Sequence, residues 1–226
     1  MAFPTVQNTN TSTSAASTSH TVNLPASISS GDLLIVFFGT REKPTITTPS
    51  GWTLLKNKSS ASENHQFSIF YKVASGSEGS TVTITTSASW SGMHASYRIT
   101  GYSGTPEVST ADSGNITQPD PDSLTPAGGA KDYLWIVTAV SVAFSAIGFP
   151  TNYSNNNLQI RETITDSRLA VGTRSLNTTV QDPVEYTLYD GGYWEACTIA
   201  IPPIAESVVF PPEKRFTQAV NRASTY

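Results

Sequence analysis

The sequence predicts an all-β protein, an antiparallel, jelly-roll-like β-sandwich built from two pseudo-repeated halves. Three observations carry that prediction. Short apolar or alternating runs recur along the whole chain, each bounded by Gly, Pro, Ser, Asn or Asp, and they amount to roughly ten to twelve strands. Charged residues make up only 13% of the chain, well below the usual quarter, and Ser, Thr and Asn take their place, as suits exposed sheet faces. The features of residues 31–102 also return in the same order about a hundred residues later, which marks an internal duplication.

The opening residues 1–19, MAFPTVQNTNTSTSAASTS, are polar and of low complexity. They read as an extended N-terminal arm, because little apolar surface is available to offset the entropy of ordering. Residues 20–24 alternate and start the sandwich, assigned to 20–203. Residues 33–38, LLIVFF, are apolar on both parities, which predicts a strand covered on both faces. Pro49-Ser50-Gly51 is turn chemistry ahead of Trp52. Phe67, Ile69, Tyr71 and Val73 share one face of the next strand, and Ser68, Phe70 and Lys72 the other. GSEG at 76–79 closes a hairpin into a strand with Val82 and Ile84 inward. After Trp90, residues 93–102 form a further strand with Met93, Ala95, Tyr97 and Ile99 on one face.

Residues 103–121 are rich in Pro, Gly, Ser and Asp and read as a linker between the pseudo-repeats 20–102 and 122–201. In the second half Asp132 matches Asp32, and the apolar run 133–140 matches 33–38. Pro150-Thr151-Asn152-Tyr153 matches Pro49-Ser50-Gly51-Trp52, residues 169–174 match 67–72, and Trp194 matches Trp90. The two apolar runs are expected to be central strands of one shared core, with the halves interleaving their strands; two tandem sandwiches of roughly a hundred residues each are the alternative. From residue 204 alternation stops. The tail 204–226 carries +1 against −5 for the rest of the chain. Its Phe210, Lys214, Arg215, Phe216, Arg222 and Tyr226 are candidate anchors, because a purely disordered tail rarely holds so many large apolar side chains.

Chemistry is sparse. His20, His65 and His94 are far apart in sequence and lack ligand spacing, so they read as structural and no metal site is expected. Lone Cys197 excludes an intramolecular disulfide and a cysteine-built metal centre. No nucleophile elbow, phosphate loop or dinucleotide fingerprint is present, and no cofactor is implied. Asp166, Asp182, Asp190 and Glu195 read as surface turn acids rather than a glycosidase pair. Asp120-Pro121-Asp122 lacks the Gly turn and bidentate acid of a calcium loop. The net charge of −4 argues against nucleic acid. Neither a secretory leader nor an apolar run of membrane-spanning length is seen, so no membrane insertion is expected. Trp135 belongs to the core. Trp90 and Trp194, placed at turns, are the candidates for stacking on a sugar ring.

The segments GDLLIVFF, PSGWTLL, FYKVASGSEGSTVTITTS and YRITGY resemble a group of small β-sandwich proteins encoded by tailed bacteriophages and prophages. The likeness covers about residues 1–201. It implies a non-enzymatic virion structural protein, synthesised in the host cytoplasm and docked on other virion proteins, capsid or tail subunits. A homo-oligomer is expected. Opening on Met1, the chain reads as a complete frame, and it has no heptads to build a shaft. A surface role as capsid decoration or head fibre is therefore favoured. A tail-fibre or carbohydrate-binding adhesin that recognises host-surface glycans is the alternative.

Overall fold

The computed structural model describes residues 2–59, 65–115, 118–142, 146–163, 166–188 and 192–205. The candidate anchors Phe210, Lys214, Arg215, Phe216, Arg222 and Tyr226, and also Asp190, lie outside the described residues. The described residues form strands without helix: β1 (Thr5–Asn23), β2 (Leu33–Arg41), β3 (Ile46–Thr47), β4 (Thr53–Ser59), β5 (His65–Val73), β6 (Thr81–Thr100), β7 (Glu107–Val108), β8 (Asp112–Gly114), β9 (Lys131–Val142), β10 (Ile147–Gly148), β11 (Asn155–Glu162), β12 (Ser167–Thr178), β13 (Thr187–Leu188) and β14 (Trp194–Ile201).

Two antiparallel sheets stack into a sandwich. Sheet one runs β1-β6-β2-β5-β4 with β3 on β6, and sheet two runs β11-β12-β9-β14-β7 with β8 on β14. The halves do not interleave: each supplies one whole sheet. Equivalent strands keep one order, β1-β6-β2-β5-β4 against β7/β8-β14-β9-β12-β11. The sheets stack in opposite sense, with β1 over β11 and β4 over β7. The halves are thus related by an approximate two-fold axis along the strands. The repeat extends to its turns. The Trp52 N–H donates to the Pro49 carbonyl (3.1 Å) and the Tyr153 N–H to that of Pro150 (3.0 Å). The third turn residue has positive φ in both, Gly51 at 76° and Asn152 at 71°, as a type II turn requires.

The two apolar runs meet in one core. Leu33, Ile35 and Phe37 of β2 pack with Leu134, Ile136 and Val140 of β9, and with Met93, Tyr97, Ile99, Ile199 and Ile201. Tyr97 also crosses the seam: its hydroxyl donates to the Asn156 carbonyl at 2.8 Å. The inward parity corrects the alignment of the halves by one residue. Leu33 pairs with Ile99 in sheet one and Leu134 with Ile201 in sheet two, so Leu33 corresponds to Leu134 and Asp32 to Tyr133. A one-residue shift exchanges the faces of a strand, and the two aspartates accordingly differ. Asp32 is buried, 3.2 Å from Arg98 Nη1, whereas Asp132 is half-exposed and accepts from Asn177.

Both central strands are covered on their outer faces too. On sheet two, Tyr133, Trp135 and Val137 pack under Ile147, Tyr153 and Tyr186. On sheet one the cover is the chain's own β1–β6 ribbon. Its register slips at 14/17 and 17/19, and bulges of this kind bend a strand. The Ser96 hydroxyl donates to the Asn23 carbonyl and the Asn10 amide to the Leu24 carbonyl, so the far part of the ribbon lies back on the near part. Val22, Leu24 and Ile84 thereby cover Val36, Phe38 and Phe70.

The segment read as an arm, 1–19, is therefore mostly sheet, since β1 runs unbroken through the boundary at 19/20. Its pairing along β6 satisfies the backbone, which the polar side chains alone do not reveal. The linker 103–121 likewise contains β7 and β8. The outer strands are guarded against further pairing by one local device. The Thr9, Thr11 and Ser113 N–H groups donate to the preceding Asn8, Asn10 and Asp112 side chains (2.7, 2.8 and 2.7 Å).

Candidate functional site

The sandwich has two unlike ends. At the loop end β2 and β9 finish, and β5, β12 and β14 begin. There His65 of sheet one meets Glu195 of sheet two, Nε2 to Oε2 at 3.4 Å, both side chains fully buried. The same Nε2–H donates to the Tyr193 carbonyl at 3.0 Å, which fixes the tautomer. Burial pushes the imidazole pKa down to about 4; the Tyr193 carbonyl opposes that shift, while Arg41 and Lys43 reinforce it. Glu195, which the sequence places among the surface turn acids, sits instead on the inward face of β14, in the same parity as Cys197, Ile199 and Ile201. The cue was available in the apolar alternation that follows it. Asp166 is half-exposed and ion-paired with Arg161, and Asp182 is exposed.

The buried His65 has a measurable consequence. Its folded pKa lies below the unfolded value of 6.5, so below that pH the unfolded chain binds the extra proton and stability falls. Between pH 6.5 and 4 the slope from this group is about 1.4 kcal/mol per pH unit. In urea titrations across that range, His65→Gln is expected to flatten the stability profile by that slope. A slope unchanged by the substitution would show that His65 titrates normally in the folded protein.

The tryptophans divide. Trp135 is fully buried and donates Nε1–H to the Leu176 carbonyl at 3.0 Å. Trp194 opens β14 rather than a turn and is 3% exposed. Gly114 of the neighbouring β8 lies so close that a Cβ there would stand 2.7 Å from the indole. With its faces packed, Trp194 offers none to a sugar, which corrects its assignment as a stacking residue. Trp90 lies within β6 opposite Ser17 and is half-buried. The two do not form one exposed platform, because Trp194 is enclosed.

At the opposite, terminal end, both ends of the described chain converge on Gly101. The Ile204 N–H donates to the Gly101 carbonyl at 3.2 Å. A Cβ on Gly101 would stand 3.6 Å from the Phe3 carbonyl. Ser103 bonds Pro202 and Pro203. Phe3 is 36% and Ile204 56% exposed. An open groove of about 380 Å³ beside them is lined by Phe3, Val6, Leu134, Asn155, Asn156 and Thr173. A second, of about 410 Å³, lies beside the fold-back among Asn10, Asn23, Pro25, Ile28 and Glu78. Neither groove is lined by a histidine or a tryptophan.

The acids of the linker gather on the surface of sheet two. Burial, then repulsion from Glu185, Asp182, Asp112 and Asp122, raises the Asp120 pKa. Among the described residues no group of three or more His, Cys, Asp or Glu is arranged to hold a metal ion. Cys197 is buried in the inter-sheet core, and burial pushes its thiol pKa up to about 12, far from a reactive thiolate. Comparison with protein families, with characterised proteins and with solved structures finds no match for this chain.

Proposed function

We propose that this chain is a non-enzymatic structural protein of a bacteriophage virion, displayed on the particle surface as a capsid decoration or head-fibre protein. It docks on neighbouring subunits through its C-terminal tail, residues 204–226. The observation that carries this reading is the convergence of Phe3 and Ile204 on Gly101. Both ends of the described chain lie at one end of the sandwich, and the loop end faces away from them. That polarity suits a protein gripped at one end and displayed at the other. Extended segments suit such a grip because they cover much partner surface per residue. The tail supplies Phe210, Phe216 and Tyr226 as apolar anchors beside Lys214, Arg215 and Arg222.

Deletion of residues 206–226 tests the reading. The described sandwich is complete without them, so the melting temperature is expected to stay within about 2 °C. Recovery of the truncated protein with purified particles should be lost. Undiminished incorporation would overturn the anchoring role. The alternative, an adhesin for host-surface glycans, now rests on Trp90 at the loop end. A glycan array that binds the intact protein but not Trp90→Ala would favour it.

A further inference from the structure

A second buried polar cluster lies where the β1–β6 ribbon folds back on sheet one. His20 and His94 are fully buried there. His94 stacks on Phe38 (centroids 5.4 Å apart, planes at 10°), His20 meets the same ring edge-on at 5.0 Å, and the two imidazoles are 6.3 Å apart. Their proton positions follow from the hydrogen bonds. The Thr86 hydroxyl donates to the Ala88 carbonyl at 2.8 Å, so it accepts from His20 Nε2–H at 3.1 Å. His20 Nδ1 then accepts from the Ser14 hydroxyl at 2.7 Å. Ser14 Oγ accepts from His94 Nε2–H at 3.4 Å, and His94 Nδ1 accepts from Ser12 Oγ at 2.9 Å. Ser12 Oγ accepts in turn from the Asn23 N–H at 3.1 Å. With both imidazoles neutral every ring nitrogen has a partner, and a proton added to either ring would be buried with neutral hydroxyls alone as its acceptors.

Among the described residues, the side chains that contact the two rings are uncharged. β1 presents Ser12 and Ser14, β2 presents Phe38, and β6 presents Gly92 and Thr86. Among the described residues no carboxylate contact to either ring is found. The charge that acts on His94 is that of His20, which repels it. The network also bridges the two layers of the ribbon. Ser12, Ser14 and His94 belong to the near layer, and His20, Asn23 and Thr86 to the folded-back one.

The fold-back is held by the smallest of three apolar clusters among the described residues. Its cluster has six buried residues, against twelve in the outer cluster of sheet two and eighteen in the inter-sheet core. Units with few buried contacts open first, at less than the free energy of global unfolding.

We propose that the His20–His94 pair is an acid latch: on acidification residues 17–24 and 81–88 lift from sheet one as a unit, uncovering Val36, Phe38 and Phe70, while the sandwich stays closed. Burial holds the His94 pKa down to about 3 and lowers that of His20 as well. The opened segment, with ordinary imidazoles, takes up the protons. Opening is therefore independent of pH above about 6.5 and favoured progressively below it. The latch is independent of the particle role and would operate in the isolated protein.

The test is hydrogen exchange on the full-length protein from pH 7 to 5, with each amide rate divided by its intrinsic rate at that pH. Protection of residues 17–24 and 81–88 is expected to fall about tenfold or more, while β9 and β12 stay better protected than the fold-back at every pH. In His20→Asn/His94→Asn the fold-back should be less protected at pH 7, and its protection should no longer depend on pH. A fold-back whose protection stays constant from pH 7 to 5, or equals that of β9 and β12, would overturn the latch. So would the same pH dependence in the double variant. If the variant does not fold, the wild-type proton resonances of the two imidazoles decide: titration of both near pH 6.5 in the folded protein would end the proposal, and their failure to titrate until the fold-back exchanges would uphold it.

Discussion

Residues 1–104 expressed alone should fail to form a cooperative monomer, and so should residues 105–226, while the two together should reassemble. Each half is a complete sheet, yet the inner face of sheet one is Leu33, Ile35, Phe37, Phe67, Ile69, Met93, Tyr97 and Ile99. Full burial of such a side chain contributes roughly 1.5–3 kcal/mol, so leaving this face in water costs more than about 10 kcal/mol. That matches or exceeds the whole stability of an ordinary domain, about 5–15 kcal/mol. The expected result is aggregation or self-association of either fragment. Mixing them should give a 1:1 complex with one cooperative melt, read by circular dichroism and sedimentation. The approximate two-fold axis makes a homodimer of one half the natural competitor. A fragment that melts sharply as a monomer would mean that each sheet is an independent domain.

The second large effect concerns the tryptophans. Trp135→Ala is expected to lower unfolding free energy by about 3–5 kcal/mol, the range for truncating a large aromatic in a packed core. The indole is fully enclosed, tilts against Tyr133 at 5.2 Å, and bonds the Leu176 carbonyl. Removal leaves a cavity and an unpaired carbonyl. Trp194→Ala should fall in the same range because Gly114 and the outer cluster of sheet two enclose it. Trp90→Ala should cost under about 2 kcal/mol, since part of its surface is already in water. Urea unfolding followed by the remaining tryptophan fluorescence distinguishes the three. Equal losses for Trp90 and Trp194 would mean that the two occupy similar environments.

The same residues show how far sequence reasoning reaches here. Apolarity on both parities identified β2 and β9 as strands covered on both faces, and period-two alternation placed Phe67, Ile69, Met93, Tyr97 and Ile99 on one side. Turn chemistry identified the equivalence of Pro49–Trp52 and Pro150–Tyr153, down to the positive φ at Gly51 and Asn152. Side-chain period and glycine permissiveness are local, so they are written in the chain. The burial of Trp194 and Glu195 is not legible in the chain, because a GGY run resembles a turn and the strands that enclose them, β8 and β9, lie far away in sequence. Ser12, Ser14, His20, Thr86 and His94 carried no recognisable spacing for the same reason: only the bend of the ribbon brings positions 12 and 94 together.

The strands, their inward faces and the turns are legible along the chain, because each depends on residues a few positions apart, and the duplication shows as the return of those local features in the same order. That each half makes one whole sheet, and that the sheets face each other about a two-fold axis, is a property of the folded core alone. Hydrogen-bonded ladders pair with any strand of suitable length, and an apolar face can be covered by any other apolar face. The choice among such partners lies in the long-range fit of Leu33, Ile35 and Phe37 against Leu134, Ile136 and Val140, and in the fold-back that seals Phe38 and the two histidines beneath it.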